Sequence, residues 1–252
     1  MMQIPFIGQK MVILDHCDST NSELTKMCAE EHAISGTVVL AYTQFAGRGQ
    51  RGNLWESKAG KDLTFSFLIS EAGIKAEDAF LPAMATALAV KNWLAVILPG
   101  EKEIEVKWPN DVLYQRKKIA GILIEHAFSG DRIARSVVGV GINLAAETFG
   151  ETRFPATSVI LECGKIIAPI EALSGLLPFL NKYFQKIEQN PEGIRGEYAR
   201  TLYAGRKTEP AMLKGLKKAV RIISVNRGGI PTVQTEHGIM EITGTDELQF
   251  IP

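Results

Sequence analysis

The sequence predicts an α+β fold: a mixed β-sheet with helices packed on it, followed by a small C-terminal β-barrel. Strand-like runs fill most of the first 144 residues, and helical patterns collect between about 158 and 203. Short β-like runs divided by glycine turns make up the remainder. The expected division is a main domain over residues 1–204 and a barrel over 205–252. About fifty residues rarely bury enough core to stand alone, so the barrel should pack against the main domain.

In chain order, residues 10–14 read as a strand, and a helical pattern follows through about residue 31. Thr20 and Glu23 have capping-box spacing at its start. Strands are expected at 37–43 and 63–69, and a largely apolar helix at about 78–97, ended by Pro99-Gly100. Alternating polar and apolar residues mark a half-buried strand at 103–108. Pro109-Asn110-Asp111 is a turn signal, and extended structure resumes at 112–114. A hairpin of 118–128 and 132–144 completes the sheet. Helices are predicted at 158–163, 169–189 and 193–203, then short strands at 219–225, 232–235, 239–242 and 248–251.

Composition excludes several classes. Lys+Arg and Asp+Glu balance at 28 each, so no global field draws the chain to nucleic acid or an anionic membrane. Three scattered cysteines (Cys17, Cys28, Cys163) fit a reducing compartment, and four histidines without ligand spacing give no zinc site. The apolar run near 79–98 is broken by Pro82, Lys91 and Asn92, so no stretch is expected to span a bilayer. With no leader-like N-terminus, the expected location is cytoplasmic.

The chemistry gathers around Ala46-Gly47-Arg48-Gly49-Gln50-Arg51-Gly52-Asn53-Leu54-Trp55, between two predicted strands. The connection is long for a turn. Its glycines let backbone approach a ligand, and its arginine forks suit phosphate or carboxylate oxygens. Three further patches stand beside it. Lys107-Trp108-Pro109-Asn110-Asp111 puts a cation, an amide and a carboxylate at one strand end. Lys118-Ile119-Ala120-Gly121-Ile122-Leu123-Ile124-Glu125 opens a strand with a lysine, and Gly139-Val140-Gly141-Ile142-Asn143-Leu144 closes one with an amide. Taken singly, each is as well explained by a solvated strand end, a turn or a bulge.

Together, in this order and with Ser19-Thr20-Asn21 ahead of them, they resemble the biotin–protein ligase (biotin–[acetyl-CoA-carboxylase] ligase) family, whose catalytic domain is class II synthetase-like. The resemblance covers nearly the whole chain. It implies a main domain that binds biotin and ATP, forms biotinyl-5′-AMP with Mg²⁺, and passes biotin to a lysine of a biotin carboxyl carrier domain. It also implies Ser19, Thr20, Asn21 and Gln44 on the ureido head of biotin. Arg48 and the Gly49–Gln50 backbone lie over the carboxylate and α-phosphate, with Trp55 as an apolar wall. Lys118 would touch the reacting oxygens, and Gly121–Ile122 would pass the bicyclic ring. Arg51, Lys107 and Asn110 suit the phosphates and Asn143 the nucleotide. Asp111 is a Mg²⁺ ligand or a base for the carrier lysine. Gln50 and Asn53 depart from the bases many members carry, which places more of the phosphate contact on Arg48 and Arg51. The short segment before Asp15 leaves no room for the winged helix of some members, so DNA binding is not expected, and the enzyme is a monomer or homodimer. The glycine loop is expected to order only with ligand. A lipoate–protein ligase and a non-catalytic biotin-binding protein on the same fold are the alternatives.

Overall fold

Seven stretches of alternating residues form the main sheet: β1 (Lys10–Cys17), β2 (Thr37–Gln44), β3 (Leu63–Ser70), β4 (Ile104–Lys107), β5 (Asp111–Tyr114), β6 (Lys117–Ser129) and β7 (Arg132–Ile142). In the computed structural model, which describes residues 4–100, 103–150 and 154–252, their order is β1-β2-β3-β7-β6-β5-β4. β1 runs parallel to β2, and every other neighbouring pair is antiparallel.

The period of two gives the sheet two different faces. Leu63, Phe65, Phe67 and Ile69 of β3, with Val138, Val140 and Ile142 of β7, enter the large core. There they meet α2 (Leu81–Ile97), α4 (Pro169–Gln189) and α5 (Pro191–Thr201). Phe67 meets Phe184 of α4 edge-on at 5.3 Å. The opposite face carries Val39, Leu68 and Val137, a small cluster capped by Leu24 of α1 (Thr20–Ala29). On that same face Thr64, Ser66, Gly139 and Gly141 leave the sheet low and polar, and this is where a cavity opens.

Several local expectations are corrected. The run Ala76–Ile97 is long and apolar enough to cross a bilayer by length and composition. It is nonetheless a core helix, with twelve side chains of α2 buried against the sheet and α4. The capping box is not formed: Ser19 is the N-cap, and the Thr20 hydroxyl turns to Ser66. α5 starts at Pro191, two residues early, because Asn190 caps it by accepting from the Gly193 N–H at 2.8 Å. α3 is the short helix Val159–Cys163.

The C-terminal strands β8 (Glu209–Leu213), β9 (Leu216–Val225), β10 (Pro231–Thr235), β11 (Gly238–Glu241) and β12 (Leu248–Phe250) form an antiparallel sheet, ordered β11-β10-β9-β8-β12. β8 has no counterpart among the expected strands. The sheet is not a closed barrel, since β12 pairs with β8 and not with β11. β12 turns Phe250 edge-on to Tyr203 at 5.4 Å, so the sheet seals against the main domain and not on itself. The expected 204/205 boundary falls in the connection between α5 and β8.

Candidate active site

Strand register lays out the floor of the cavity. One transverse row runs Lys107, Asp111, Gly121, Gly141, Thr64, and the next runs Leu123, Gly139, Ser66, Val39. Three of these positions are glycines, so side chains from above can lie on the sheet. A β-carbon at Gly121 would stand 2.7 Å from the Trp55 ring. One at Gly141 would overlap the same ring, and one at Gly139 would overlap the Asn21 amide.

Lys118 reaches this face through a β-bulge. Asp111 pairs with Gly121 and Val112 with Ala120, but Leu113 pairs with Lys118, so Ile119 is the extra residue. In a regular strand without the bulge, period-two alternation would put Lys118 on the face opposite Gly121. A bulge that re-aims a side chain beside a site is its usual use. The strand end is tied down by Lys118 N–H to Pro155 O (2.6 Å) and Thr157 N–H to Lys118 O (2.9 Å).

Lys107 and Lys118 share Asp111. Lys107 Nζ donates to Asp111 Oδ2 at 2.6 Å, and Lys118 Nζ lies 2.7 Å from Oδ1. Burial pushes the Asp111 carboxyl up, but the two ammonium groups outweigh it and hold the carboxyl below the ordinary range. It is therefore ionised at neutral pH and a weak proton acceptor, which fits poorly with the base role. Both carboxylate oxygens face lysine ammonium groups, which leaves Asp111 little capacity for a cation. Its surroundings make it the anchor that aims two cations. Each lysine keeps further N–H donors for a ligand. Lys118 also lies 5.3 Å from the Trp55 ring centre, and Lys107 5.3 Å from that of Phe154.

The glycine loop is a small hairpin. Trp55 N–H donates to Gly47 O at 2.9 Å and Gly49 N–H to Asn53 O at 2.7 Å, with Arg51 at φ +57° in the tip. In this conformation the loop is held by its own backbone hydrogen bonds. It lowers Trp55 onto Gly121 and Gly141, where the indole Nε1 is buried without a partner. Arg48 reaches Ser22 Oγ at 3.2 Å and pairs with Glu125 of β6.

At the α1 end the polar groups interlock. Gln44 Oε1 accepts from the Thr20 N–H at 2.8 Å, Ser66 contacts Thr20 at 2.7 Å and Asn21 at 2.6 Å, and Asn21 donates to Glu125 at 2.9 Å.

One cavity of about 450 Å³ collects nearly every candidate. Ser19, Thr20, Asn21 and Gln44 line one end. Arg48, Gly49, Gln50, Arg51 and Trp55 cover it, and Lys107, Asn110, Asp111, Lys118, Gly121 and Ile122 line the rest. Asn143 does not line it. That amide is buried and donates to Thr157 O at 2.9 Å, and the turn after it is fixed by Asp62, which accepts from Leu144, Ala145 and Ala146 N–H. Sequence reasoning missed Phe154, and Thr245, Leu248, Gln249 and Phe250 of the small sheet, which complete the wall. It also missed Ser66 and Glu125. Glu125 was legible, since Gly121, Leu123 and Glu125 alternate onto one face. Among the described lining residues, four cationic side chains stand against one carboxylate, in a chain of zero net charge.

The sequence pattern of the biotin/lipoate A/B protein ligase family matches residues 14–143. A biotin–[acetyl-CoA-carboxylase] ligase of Paracoccus denitrificans is 35% identical over 181 residues, covering 70% of this chain and 73% of that protein. The bifunctional ligase/repressor BirA of Escherichia coli (strain K12) is 36% identical over 148 residues, 58% of this chain but 44% of that one. Among solved structures, the biotin protein ligase from Aquifex aeolicus in complex with biotin and ATP superposes with a TM-score of 0.77. It is 27% identical, over 96% of this chain and 98% of that one.

Proposed function

From the premise that the chain belongs to the biotin/lipoate A/B protein ligase family, we infer that it is a biotin–protein ligase, an ATP-dependent enzyme that activates biotin as biotinyl-5′-AMP. The named relatives are biotin ligases, so this reading stands over lipoate ligation and over a non-catalytic biotin-binding protein. A carboxylate oxygen of biotin attacks the α-phosphorus of ATP and pyrophosphate leaves. A carrier lysine amine then attacks the acyl carbon, AMP leaves, and an amide remains.

The difficulty in the first step is electrostatic, because one anion must strike another. The cavity answers it with fixed donors where negative charge concentrates. Arg48 and the Gly49–Gln50 backbone cover the biotin carboxylate in this reading, and Lys118, aimed by Asp111, meets the oxygens exchanged in the step. Lys107, Asn110 and Arg51 take the phosphates, and the Thr20–Gln44 end takes the ureido group. What supports these roles is one observation: the assigned residues, drawn from distant parts of the chain and Asn143 excepted, line a single cavity. Trp55 over Gly121 and Gly141 would close it from water.

Mg²⁺ in this chemistry offsets charge on the triphosphate. Asp111, committed to two lysines, is poorly placed to hold it. The acceptor we propose is a biotin carboxyl carrier domain, with no DNA partner, in the cytoplasm where free thiols persist, and the enzyme acting as a monomer or homodimer. Incubating the protein with biotin, Mg-ATP and a carrier domain should raise the carrier's intact mass by one biotinyl group. An unchanged mass, with no pyrophosphate released, defeats the reading.

A further inference from the structure

We propose that Glu125 and Ser66 are positioning residues that fix the hydrogen-bond polarity of the end of the cavity that receives the ureido head. The inference rests on the biotin reading above and concerns two residues that reading leaves without a role.

Proton bookkeeping carries it. The Glu125 carboxylate accepts and does not donate. Its Oε2 lies 2.9 Å from Asn21 Nδ2, so the amide nitrogen of Asn21 must face Glu125 and its oxygen must face Ser66. Ser66 has one hydroxyl proton, and the 2.6 Å contact to Asn21 Oδ1 takes it. The 2.7 Å contact between Ser66 and Thr20 then takes the Thr20 proton in preference to the longer 3.2 Å contact from Thr20 Oγ1 to Gln44 Oε1, which already accepts from the Thr20 N–H. Thr20 thus enters the site as an acceptor. Gln44, which lines the cavity, accepts from the Thr20 N–H through Oε1, so the hydrogen-bonding capacity left on its amide is the NH₂ donor, beside Gly47. A ureido group offers two N–H donors and one carbonyl acceptor, the complement of that pattern. The other oxygen of Glu125 holds Arg48. One carboxylate therefore sets both the ureido end and the guanidinium above it. Room for the arrangement comes from Gly139, where any β-carbon would displace the Asn21 amide.

Glu125→Gln removes the directional constraint. An amide can satisfy Asn21 with its NH₂, which lets Asn21 turn over and the Ser66 and Thr20 hydroxyls reverse. Ser66→Ala breaks the same chain from the other side without touching Arg48. The experiment is calorimetric titration of D-biotin into the wild type, both single variants and the double variant, with KM for ATP and thermal melts alongside. Each single variant should weaken biotin binding by about tenfold or more, the scale of one mis-set polar contact in a buried site. KM for ATP should stay within about twofold in Ser66→Ala, which leaves Arg48 paired with Glu125, and the melts of both variants should remain cooperative. The double variant should bind little worse than the weaker single, because both act through Asn21. Unchanged biotin affinity in Glu125→Gln, or fully additive losses in the double variant, overturns the proposal while the biotin reading stands. A wild type that does not bind biotin overturns both.

Discussion

Lys118 sits where the β-bulge at Ile119 turns it onto the glycine floor, and Asp111 holds its ammonium at 2.7 Å. A group that meets charge developing in the transition state is worth most there, and loss of one such donor costs about 10²–10³ in rate. Lys118→Ala should therefore lower biotin-dependent ATP–pyrophosphate exchange by that factor while the protein stays soluble and folded. Exchange at the parental rate would remove Lys118 from the chemistry. Gly121 tests the floor itself. Its β-carbon would lie 2.7 Å from one Trp55 ring carbon and 3.3 Å from another, with the Lys118 stem at 3.4 Å. Gly121→Ala should shift Trp55 fluorescence and weaken biotin binding by about tenfold or more. Unchanged emission would mean the indole does not rest on this strand. At this scale the motif candidates other than Asn143 line the cavity, because a lysine, a glycine or an arginine in a patterned run declares its chemistry. Ser66 was not, since a serine within an apolar strand carries no signal until the strand opposite it is known.

The glycine loop carries Gln50 and Asn53, uncharged side chains between Arg48 and Trp55. The hairpin brings Gln50 and Arg51 to the cavity rim, and its closing bonds come from Gly47, Gly49, Asn53 and Trp55 backbone. Gln50 offers an amide where a guanidinium would offer a charged fork. Gln50→Arg should slow release of biotinyl-5′-AMP by roughly tenfold or more, one charge-assisted hydrogen bond being worth about 1.5–3 kcal/mol. Release can be followed by chasing labelled adenylate with unlabelled biotin and ATP. An unchanged release rate would show that position 50 does not meet the nucleotide. The strands flanking the loop were legible because β2 and β3 are apolar runs with period-two partners. The hairpin within it was not. It is held by backbone bonds and a residue in the left-handed region, Arg51, that no side-chain pattern announces. β8 was missed for a related reason: it opens Glu209-Pro210, a breaker next to a charge, and becomes a strand by pairing with β9 and β12.

Across the whole molecule, the small sheet completes the cavity only while it stays docked, and two ion clusters hold it there. Arg116, in the β5–β6 turn, forks onto Glu209 with two bonds of 2.7 Å and reaches Tyr203 Oη at 2.9 Å. Asp78, just before α2, is held by Arg195 of α5 and by Arg227 of the β9–β10 turn, whose Nε donates at 2.7 Å. Beside it Trp108 Nε1 donates to Gly229 O at 2.9 Å, so the same turn braces the Lys107–Asp111 segment. None of this was readable from the sequence, because the partners lie 87 to 149 residues apart. Burial pushes the Asp78 carboxyl up, and Arg227 with Arg195 outweighs it, leaving the carboxyl below its usual range. Glu209 is lowered in the same way, burial opposed chiefly by Arg116. A carboxyl lowered on folding contributes stability that is fully present above its unfolded pKa, about 4. That contribution is lost as pH falls through the lowered folded value. The melting temperature of the wild type should thus hold down to about pH 5 and fall below it, where these carboxyls begin to protonate in the unfolded chain while the folded ones stay charged. Asp78→Asn should lower the melting temperature at pH 7 by on the order of 5 °C, leaving two arginines without their carboxylate. The gap between variant and wild type should narrow as pH drops, since acid removes from the wild type the charge that the variant lacks at every pH. Melts at pH 7 and pH 3 decide it: an equal gap at both would mean that the Asp78 charge is not what fastens the small sheet over the site.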